Sequence, residues 1–195
     1  MPSSMLVHDT RLAGTAPNIA PNTFKVNGNT QLTNALGWIR SYAKSNRGLT
    51  RLSIMCHGNT GGLYDNAAGM STFDLGFGLQ LCREGLNLSN VHLTGVLEGL
   101  VDVIILYACG PAHTRPGFRN TAADGQRLCA EIAGWTNAEV IAAVETQYYN
   151  MEAPTGFLRR LFRIGPQDII NFGEWEGTVY RFSPDGSISP TFAPP

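Results

Sequence analysis

The chain has 195 residues, of which 43% are hydrophobic and 15% charged, and its formal net charge is −1. This length is typical of one domain, and the apolar fraction is sufficient for a sizeable core. Apart from residues 159–163, lysine and arginine form no cluster in the sequence. This lack of an extended basic patch argues against nucleic acid as the main partner.

The sequence also argues against a membrane partner. No stretch approaches the roughly 20 apolar residues that a membrane-spanning helix needs. Residues 1–20 lack a charged region followed by an apolar segment, so we expect no signal peptide. The four cysteines do not form a disulfide framework, which favours a reducing compartment. We therefore expect a cytoplasmic protein, or one exported without a cleaved signal peptide.

The first half of the chain alternates between strand and helix patterns. Residues 4–8 are predicted to form a short strand, and residues 9–29, with several Pro, Gly and Asn, a loop. Apolar residues at spacings of three and four then predict a helix from Thr30 to about residue 46, followed by a strand at 51–56. The Gly-rich segment that follows is predicted to be a loop with a small hairpin, which pairs residues 62–64 with residues 78–82.

The second half continues the alternation. Ser89 is a suitable N-cap for a helix over residues 90–100. The expected core contacts of that helix are Val91, Val96, Leu97 and Leu100. Further along the chain we predict a strand at 101–107, a loop at 110–122, a helix at 124–133, a strand at 139–144 and a hairpin at 173–188 with a Pro-Asp-Gly turn.

This order of elements predicts an α/β fold. We expect a mostly parallel central sheet flanked by helices, with small β-hairpins in the loops and near the C-terminus. Residues 1–195 are predicted to form a single domain, with its core at about 4–145 and its C-terminal hairpin at about 168–190.

Two apolar runs each end at a chemically capable residue followed by glycine. Residues 52–58 end at His57-Gly58, and residues 103–110 end at Cys109-Gly110. Such runs are typical of buried parallel strands, and open α/β sheets bind ligands just beyond the carboxyl ends of their strands. One right-handed crossover between the runs would place both strand ends at one edge. We therefore expect an imidazole and a thiol at the same edge of the sheet.

Each of these residues also has a plainer interpretation. A cysteine at a strand end is often a small hydrophobe, and a histidine there often caps polar backbone groups. Cys56, beside His57, is expected to point to the opposite face and into the core. Cys82 and Cys129 are expected to lie in the core or on a helix face.

His113, four residues after Cys109, could serve as the base instead of His57. It could also form half of a zinc site, with Cys56 and His57 as the other half. Adjacent residues of a strand point apart, however, which is a poor geometry for tetrahedral zinc. The Gly-rich loop lacks the Gly-Lys-Ser/Thr signature of a phosphate-binding loop. We therefore expect neither a metal nor another cofactor.

The two motifs resemble those of the caspase-like cysteine peptidases. That group shares an apolar strand ending in His-Gly and, about 50 residues later, an apolar strand ending in Ala-Cys. Here these are Ile54-Met55-Cys56-His57-Gly58 and Leu106-Tyr107-Ala108-Cys109-Gly110. The caspases proper have Gln-Ala-Cys-x-Gly at the second motif, so their specificity for aspartate is not implied. The Tyr-Ala-Cys-Gly form is nearer to bacterial CHAT-like and metacaspase-like members.

The resemblance implies a cysteine endopeptidase that acts on a protein or peptide substrate. Cys109 would be the nucleophile and His57 the proton donor to the leaving amine. The backbone N–H groups of Gly58 and Cys109 would bind the oxyanion. In this group, the specificity pocket is lined by the loops that follow the Cys strand and the next strand. Glu145 and, more weakly, Asp65 could therefore bind a basic residue of the substrate. A solvated glutamate at a strand end is the alternative for Glu145.

Two other functions remain open at this point. The chain could be a catalytically silent binding module of the same fold, although such a module needs neither the thiol nor the imidazole. It could also be a thiol acyltransferase or deamidase that uses the same dyad.

Overall fold

A computed structural model describes residues 3–58, 61–64, 71–74, 76–152 and 168–192. The elements in chain order are β1 (Ser4–Asp9), β2 (Asn22–Val26), α1 (Leu32–Ser45), β3 (Leu49–Met55), β4 (His57–Gly58), β5 (Gly61–Tyr64), β6 (Ser71–Asp74), β7 (Leu79–Gln80), a 3₁₀ helix (Val91–Leu97), β8 (Val101–Tyr107), α2 (Gly125–Thr136), β9 (Glu139–Ala143), β10 (Asn150–Glu152), β11 (Ile169–Asn171), β12 (Val179–Phe182) and β13 (Ile188–Thr191).

A seven-stranded sheet organises the fold, in the order β13-β12-β9-β8-β3-β1-β2. The five strands from β9 to β2 are parallel, and β12 and β13 complete the sheet in the antiparallel sense. The predicted α/β architecture with a mostly parallel sheet is therefore confirmed. Because β1, β3, β8 and β9 run in one direction, the residues that follow them all emerge at one edge.

The helices cover one face of this sheet, here called the helix-covered face. Helix α1 buries the predicted stripe of Leu32, Leu36, Ile39 and Ala43 against it. The helix ends as predicted, since Arg47 and Gly48 both take positive φ and the Gly48 N–H donates to the Ala43 carbonyl. The 3₁₀ helix and α2 pack on the same face, and Cys56, Cys82 and Cys129 are buried in this part of the core.

The opposite face is covered by loop segments and is here called the loop-covered face. Its floor includes Leu6, Met55, Ile105 and Tyr107, which alternate along their strands with residues of the helix-covered face. Parts of residues 10–20 and 169–175 pack over it, contributing Leu12, Ala20, Ile170, Phe172 and Trp175.

Two predictions in the first half of the chain were wrong. Residues 9–29 are not all loop, because Asn22–Val26 forms strand β2 at the edge of the sheet beside β1. The hairpin in the Gly-rich region also differs from the prediction. Strand β5 pairs with β6, whereas β7 pairs with β4 and thereby with His57-Gly58. The pairing of β7 with β4 places a strand directly beside the His57 motif.

The helix predicted at 90–100 is a 3₁₀ helix limited to Val91–Leu97. Ser89 does not cap it, because its hydroxyl donates to the Asn87 side chain. Val96 is 46% exposed rather than a core contact. In a helix with three residues per turn, Val91, Thr94 and Leu97 align on one face, and these three are the buried residues.

Several of the remaining elements of the second half match the sequence closely, whereas β10 and β11 were not predicted. Strands β8 and β9 and helix α2 lie where they were predicted, and α2 extends three residues further, to Thr136. The C-terminal hairpin is formed by β12 and β13, with Pro184-Asp185-Gly186 in its turn. Its attachment to β9 as part of the main sheet was not predicted. No helix in the described ranges is long and apolar enough to cross a membrane.

Candidate active site

His57 and Cys109 lie beyond the ends of two neighbouring parallel strands. Strands β3 and β8 pair with Met55 opposite Tyr107, and the Cys56 N–H continues the ladder by donating to the Tyr107 carbonyl at 3.2 Å. Met55 and Tyr107 face the loop-covered side, whereas Cys56 and Ala108 are buried on the helix-covered side. The next residues are His57 and Cys109, so each lies one position beyond a residue of the helix-covered side and two positions beyond a residue of the loop-covered side.

Gly58 lies directly against the backbone of Cys109. A Cβ atom at residue 58 would overlap the Cys109 carbonyl oxygen and would lie 3.2 Å from the Cys109 Cβ. Any side chain at position 58 would therefore push the two motifs apart. The glycine of the His-Gly motif is required by this close approach of two backbones.

The His57 ring is oriented by a backbone carbonyl. Its Nε2 lies 3.2 Å from the carbonyl oxygen of Arg11, in the segment that follows β1. Because a carbonyl only accepts hydrogen bonds, Nε2 carries a proton, and Nδ1 is the nitrogen with a free lone pair in the neutral ring. In the described part of the chain no hydrogen bond joins His57 to the Cys109 thiol. The ring is thus held in one tautomer beside the thiol's strand.

Arg11 itself is fixed by a buried carboxylate. The Asp9 side chain is fully buried, and it binds the Arg11 guanidinium through Nε at 2.9 Å and Nη2 at 2.7 Å. The same carboxylate accepts hydrogen bonds from the backbone N–H of Arg11 and of Cys82. The guanidinium also donates to the carbonyls of Gln80 and Cys82. We call this group of contacts the Asp9–Arg11 clamp.

The clamp joins the two segments that flank His57. One is the segment after β1, which supplies the carbonyl for Nε2, and the other is β7, whose Gln80 pairs with His57. The ion pair raises the pKa of Arg11, chiefly through its hydrogen bonds with Asp9, so the guanidinium stays charged. The clamp therefore fixes both the position and the tautomer of the imidazole.

Cys109 carries a half-buried thiol, which lies 3.4 Å from the carbonyl oxygen of Gln147. The buried Gln147 side chain donates to the carbonyls of Glu145 and Glu176 and accepts from the Glu176 N–H. Gly110 N–H donates to the Glu145 carbonyl, whereas the Cys109 N–H has no acceptor among the described residues. The residues after β9 thus form a wall beside the thiol and leave one N–H next to it available.

The other three cysteines are chemically protected. All are buried, and burial raises the pKa of each thiol, that of Cys82 to about 12. They are therefore neutral at physiological pH and shielded from reagents, because the thiolate is the reactive form. Among the four thiols, Cys109 is the accessible one.

Glu145 is exposed at the same edge of the sheet, and its Cβ and Cγ pack closely against Gly177. Its carboxylate is open to solvent, and its backbone carbonyl accepts a hydrogen bond from the Gly110 N–H. Asp65 lies outside the described residues. His113 Nδ1 donates to the Val144 carbonyl at 3.2 Å, which ties that ring to the end of β9. In the described ranges, His, Cys, Asp and Glu side chains nowhere form a group of three or more that could hold a metal ion.

Asp9, Arg11 and Gln147 were missed by the sequence analysis. Asp9 has a signal that could have identified it, since it ends the apolar strand β1 just as His57 and Cys109 follow theirs. Arg11 and Gln147 act mainly through contacts with residues 29 to 71 positions away, which no local pattern records.

Comparison with known proteins adds no relative. No family model matches the chain, and no curated protein or solved structure shows significant similarity to it. The interpretation of the site therefore depends on its own geometry and on the resemblance of its two motifs.

Proposed function

We propose that the chain is a caspase-like cysteine endopeptidase with Cys109 as nucleophile and His57 as its acid–base partner. One observation carries this proposal: an accessible thiol and an oriented imidazole follow adjacent parallel strands, with Gly58 packed against Cys109. A binding module needs none of these features. A reducing compartment such as the cytoplasm suits an enzyme that depends on a free thiol.

In the proposed reaction His57 takes the thiol proton, and the Cys109 sulfur attacks the carbonyl carbon of the scissile amide. The oxygen of the resulting tetrahedral intermediate is stabilised by the backbone N–H groups of Cys109 and Gly58. The imidazolium then protonates the leaving amine, and an acyl thioester remains on Cys109. Water attacks this thioester, His57 accepts its proton, and the acid product leaves with the thiolate restored.

The exposed carboxylate of Glu145 supports a preference for a basic residue before the scissile bond, because the Glu145 backbone belongs to the wall beside the thiol. In this proposal an arginine or lysine side chain of the substrate forms an ion pair with the Glu145 carboxylate. An exposed pair of this kind contributes about 0.2–1 kcal/mol, so the preference is expected to be modest, up to about fivefold.

The test is turnover of fluorogenic peptide amides ending in Arg, Asp or Leu. We expect Cys109→Ala and His57→Ala to abolish turnover, whereas His92→Ala and His113→Ala keep it within threefold. His92 is exposed on the 3₁₀ helix, where its ring packs against Trp135 of α2, so it is a matched control for the loss of an imidazole. Transfer of the acyl group to an added amine, with no hydrolysis, would favour a transferase, and the absence of any reaction would favour a binding module.

A further inference from the structure

A cavity of about 250 Å³ lies on the loop-covered face. It is lined chiefly by aromatic and aliphatic side chains, and none of the described residues that line it is charged. The residues used below are Met55, Tyr107, Ile169, Phe172 and Trp175. An apolar cavity of about 150 Å³ is large enough to bind benzene, so this one can hold a leucine, methionine or phenylalanine side chain.

The cavity floor includes the last residues of the two strands that lead to the dyad. Met55 and Tyr107 are paired across β3 and β8, and each precedes a dyad residue by two positions. Residues two apart on a strand share a face and are separated by about 7 Å along it. Because the strands end at Met55 and Tyr107, His57 and Cys109 lie within about 7 Å along the chain of the cavity floor. Two residues of an extended peptide span the same distance.

The wall of the cavity is also connected to the wall beside the thiol. The Trp175 ring packs on Tyr107, with a centroid distance of 5.2 Å. The next residue, Glu176, is held through its backbone N–H and carbonyl by the Gln147 side chain. The carbonyl of Gln147 in turn lies 3.4 Å from the Cys109 sulfur. The cavity and the candidate nucleophile thus share one continuous wall.

We propose that this cavity is a specificity pocket for an apolar side chain of the peptide held at Cys109. This inference rests on the proposed function, and it names a substrate class that the sequence did not indicate. The apolar residue lies within two positions of the scissile bond. It is a separate determinant from the basic preference assigned to Glu145, because Glu145 does not line the cavity.

Binding can be measured apart from chemistry. The chain has three tryptophans, and Trp38 and Trp135 are about half exposed, so Trp38→Phe with Trp135→Phe leaves Trp175 as a reporter in the cavity wall. Cys109→Ala in the same protein prevents turnover. Peptides that differ only in one residue, Leu, Phe, Ala or Asp, are titrated at each of the two positions on either side of the scissile bond. At one position we expect Leu or Phe to bind about 10- to 100-fold more tightly than Ala and to shift the Trp175 emission.

A cavity-filling substitution gives the matched control. Ile169→Phe adds volume at the partly exposed edge of the cavity and is expected to reduce the advantage of Leu over Ala to less than threefold. Val96→Phe makes a similar change at an exposed residue of the 3₁₀ helix, outside the cavity, and is expected to leave the advantage unchanged.

The outcomes separate this inference from the proposed function. Equal affinity for all peptides, or an unchanged Trp175 emission, would overturn the pocket whether or not the wild-type protein cleaves them. Selective binding of apolar peptides without cleavage by the wild-type protein would support the pocket and contradict the endopeptidase.

Discussion

Asp9→Asn removes the negative charge from the Asp9–Arg11 clamp while keeping the side chain almost the same size. The wild-type carboxylate accepts four hydrogen bonds, three from Arg11 and one from the Cys82 N–H, at 2.7–3.1 Å. An amide offers one oxygen and two N–H donors, so part of this set would bring donor against donor.

The cost follows from the burial of the two partners. Removing one partner of a buried ion pair typically costs about 3–5 kcal/mol. Asp9 is fully buried, whereas the Arg11 side chain is 32% exposed, so the unpaired guanidinium can be partly solvated. We therefore expect a loss of about 2–3 kcal/mol in the free energy of unfolding, below the range for a fully buried pair.

The change should also reach His57, because the Arg11 carbonyl holds its Nε2. Misplacing a catalytic group by about 1 Å can cost about a hundredfold in rate. In folded Asp9→Asn protein we expect kcat for a peptide amide to fall at least tenfold, with KM within a factor of two. Urea unfolding measures the first effect, and steady-state kinetics well below the midpoint of unfolding measure the second.

A matched substitution separates this effect from the loss of any ion pair. Glu131→Gln breaks the exposed pair with Arg127 on α2, and we expect it to cost less than about 0.5 kcal/mol and to leave kcat unchanged. The reasoning is refuted if Asp9→Asn costs no more than Glu131→Gln. A destabilised Asp9→Asn protein that keeps wild-type kcat would refute the positioning role alone.

Three further predictions concern the motif, the thiols and the capping of α2. Gly58→Ala should lower turnover about a hundredfold, because the added Cβ overlaps the Cys109 carbonyl. Gly37→Ala on α1 should leave turnover unchanged, because the added Cβ there contacts nothing, and steady-state kinetics on the two folded variants check both expectations. Iodoacetamide at pH 8 should add one group to the native chain, at Cys109, and four groups to the unfolded chain. A second fast adduct in intact-mass spectra of the native protein would contradict the assigned burial of the other thiols. Burial would raise the pKa of Asp124, but hydrogen bonds from the Asn120 and Arg127 N–H groups and the Thr114 hydroxyl lower it. The stability that the Asp124 carboxylate contributes is therefore present above its unfolded-state pKa and is lost as the pH falls through its folded-state pKa. Asp124→Ala should cost about 1–2 kcal/mol at pH 7, and urea titrations should show the difference from wild type shrinking as the pH falls below about 4; a pH-independent difference would contradict the assignment.

The elements that were predicted well are those in which the local sequence pattern matches the pattern of buried residues. The last four residues of β3 and of β8 are all buried, and in β8 they form a continuous apolar run. Helix α1 has one buried stripe and shows it at the expected period. In each case the local pattern and the tertiary environment agree.

The elements that were missed depend on partners distant in the chain. Strand β2, Asn-Thr-Phe-Lys-Val, is short, mostly polar and only partly buried, and it is stabilised by pairing with β1 at the edge of the sheet. Strand β7, which pairs with β4, lies next to the clamp, in which Asp9 binds the N–H of Cys82, 73 positions away. Such long-range contacts leave no periodicity for a sequence pattern to detect.

The residues of the candidate site also fall into those that the sequence predicted and those that it missed. His57, Gly58 and Cys109 were predicted because each directly follows a readable strand. Gln147 follows the readable strand β9 by several irregular residues, and only its contacts with Glu145 and Glu176 give it a role beside the thiol. Sequence therefore indicated the candidate reacting groups, and the structure was needed to find the residues that hold them.

The most direct test of the dyad is covalent labelling with peptidyl acyloxymethyl ketones that carry Arg, Leu or Asp, followed by peptide mapping. We predict that one label is attached, at Cys109, with at least one of the three probes, and that His57→Ala slows labelling at least tenfold while His92→Ala does not. Failure of all three probes to label Cys109 in the folded protein, or labelling at an equal rate without His57, would contradict a Cys109–His57 dyad.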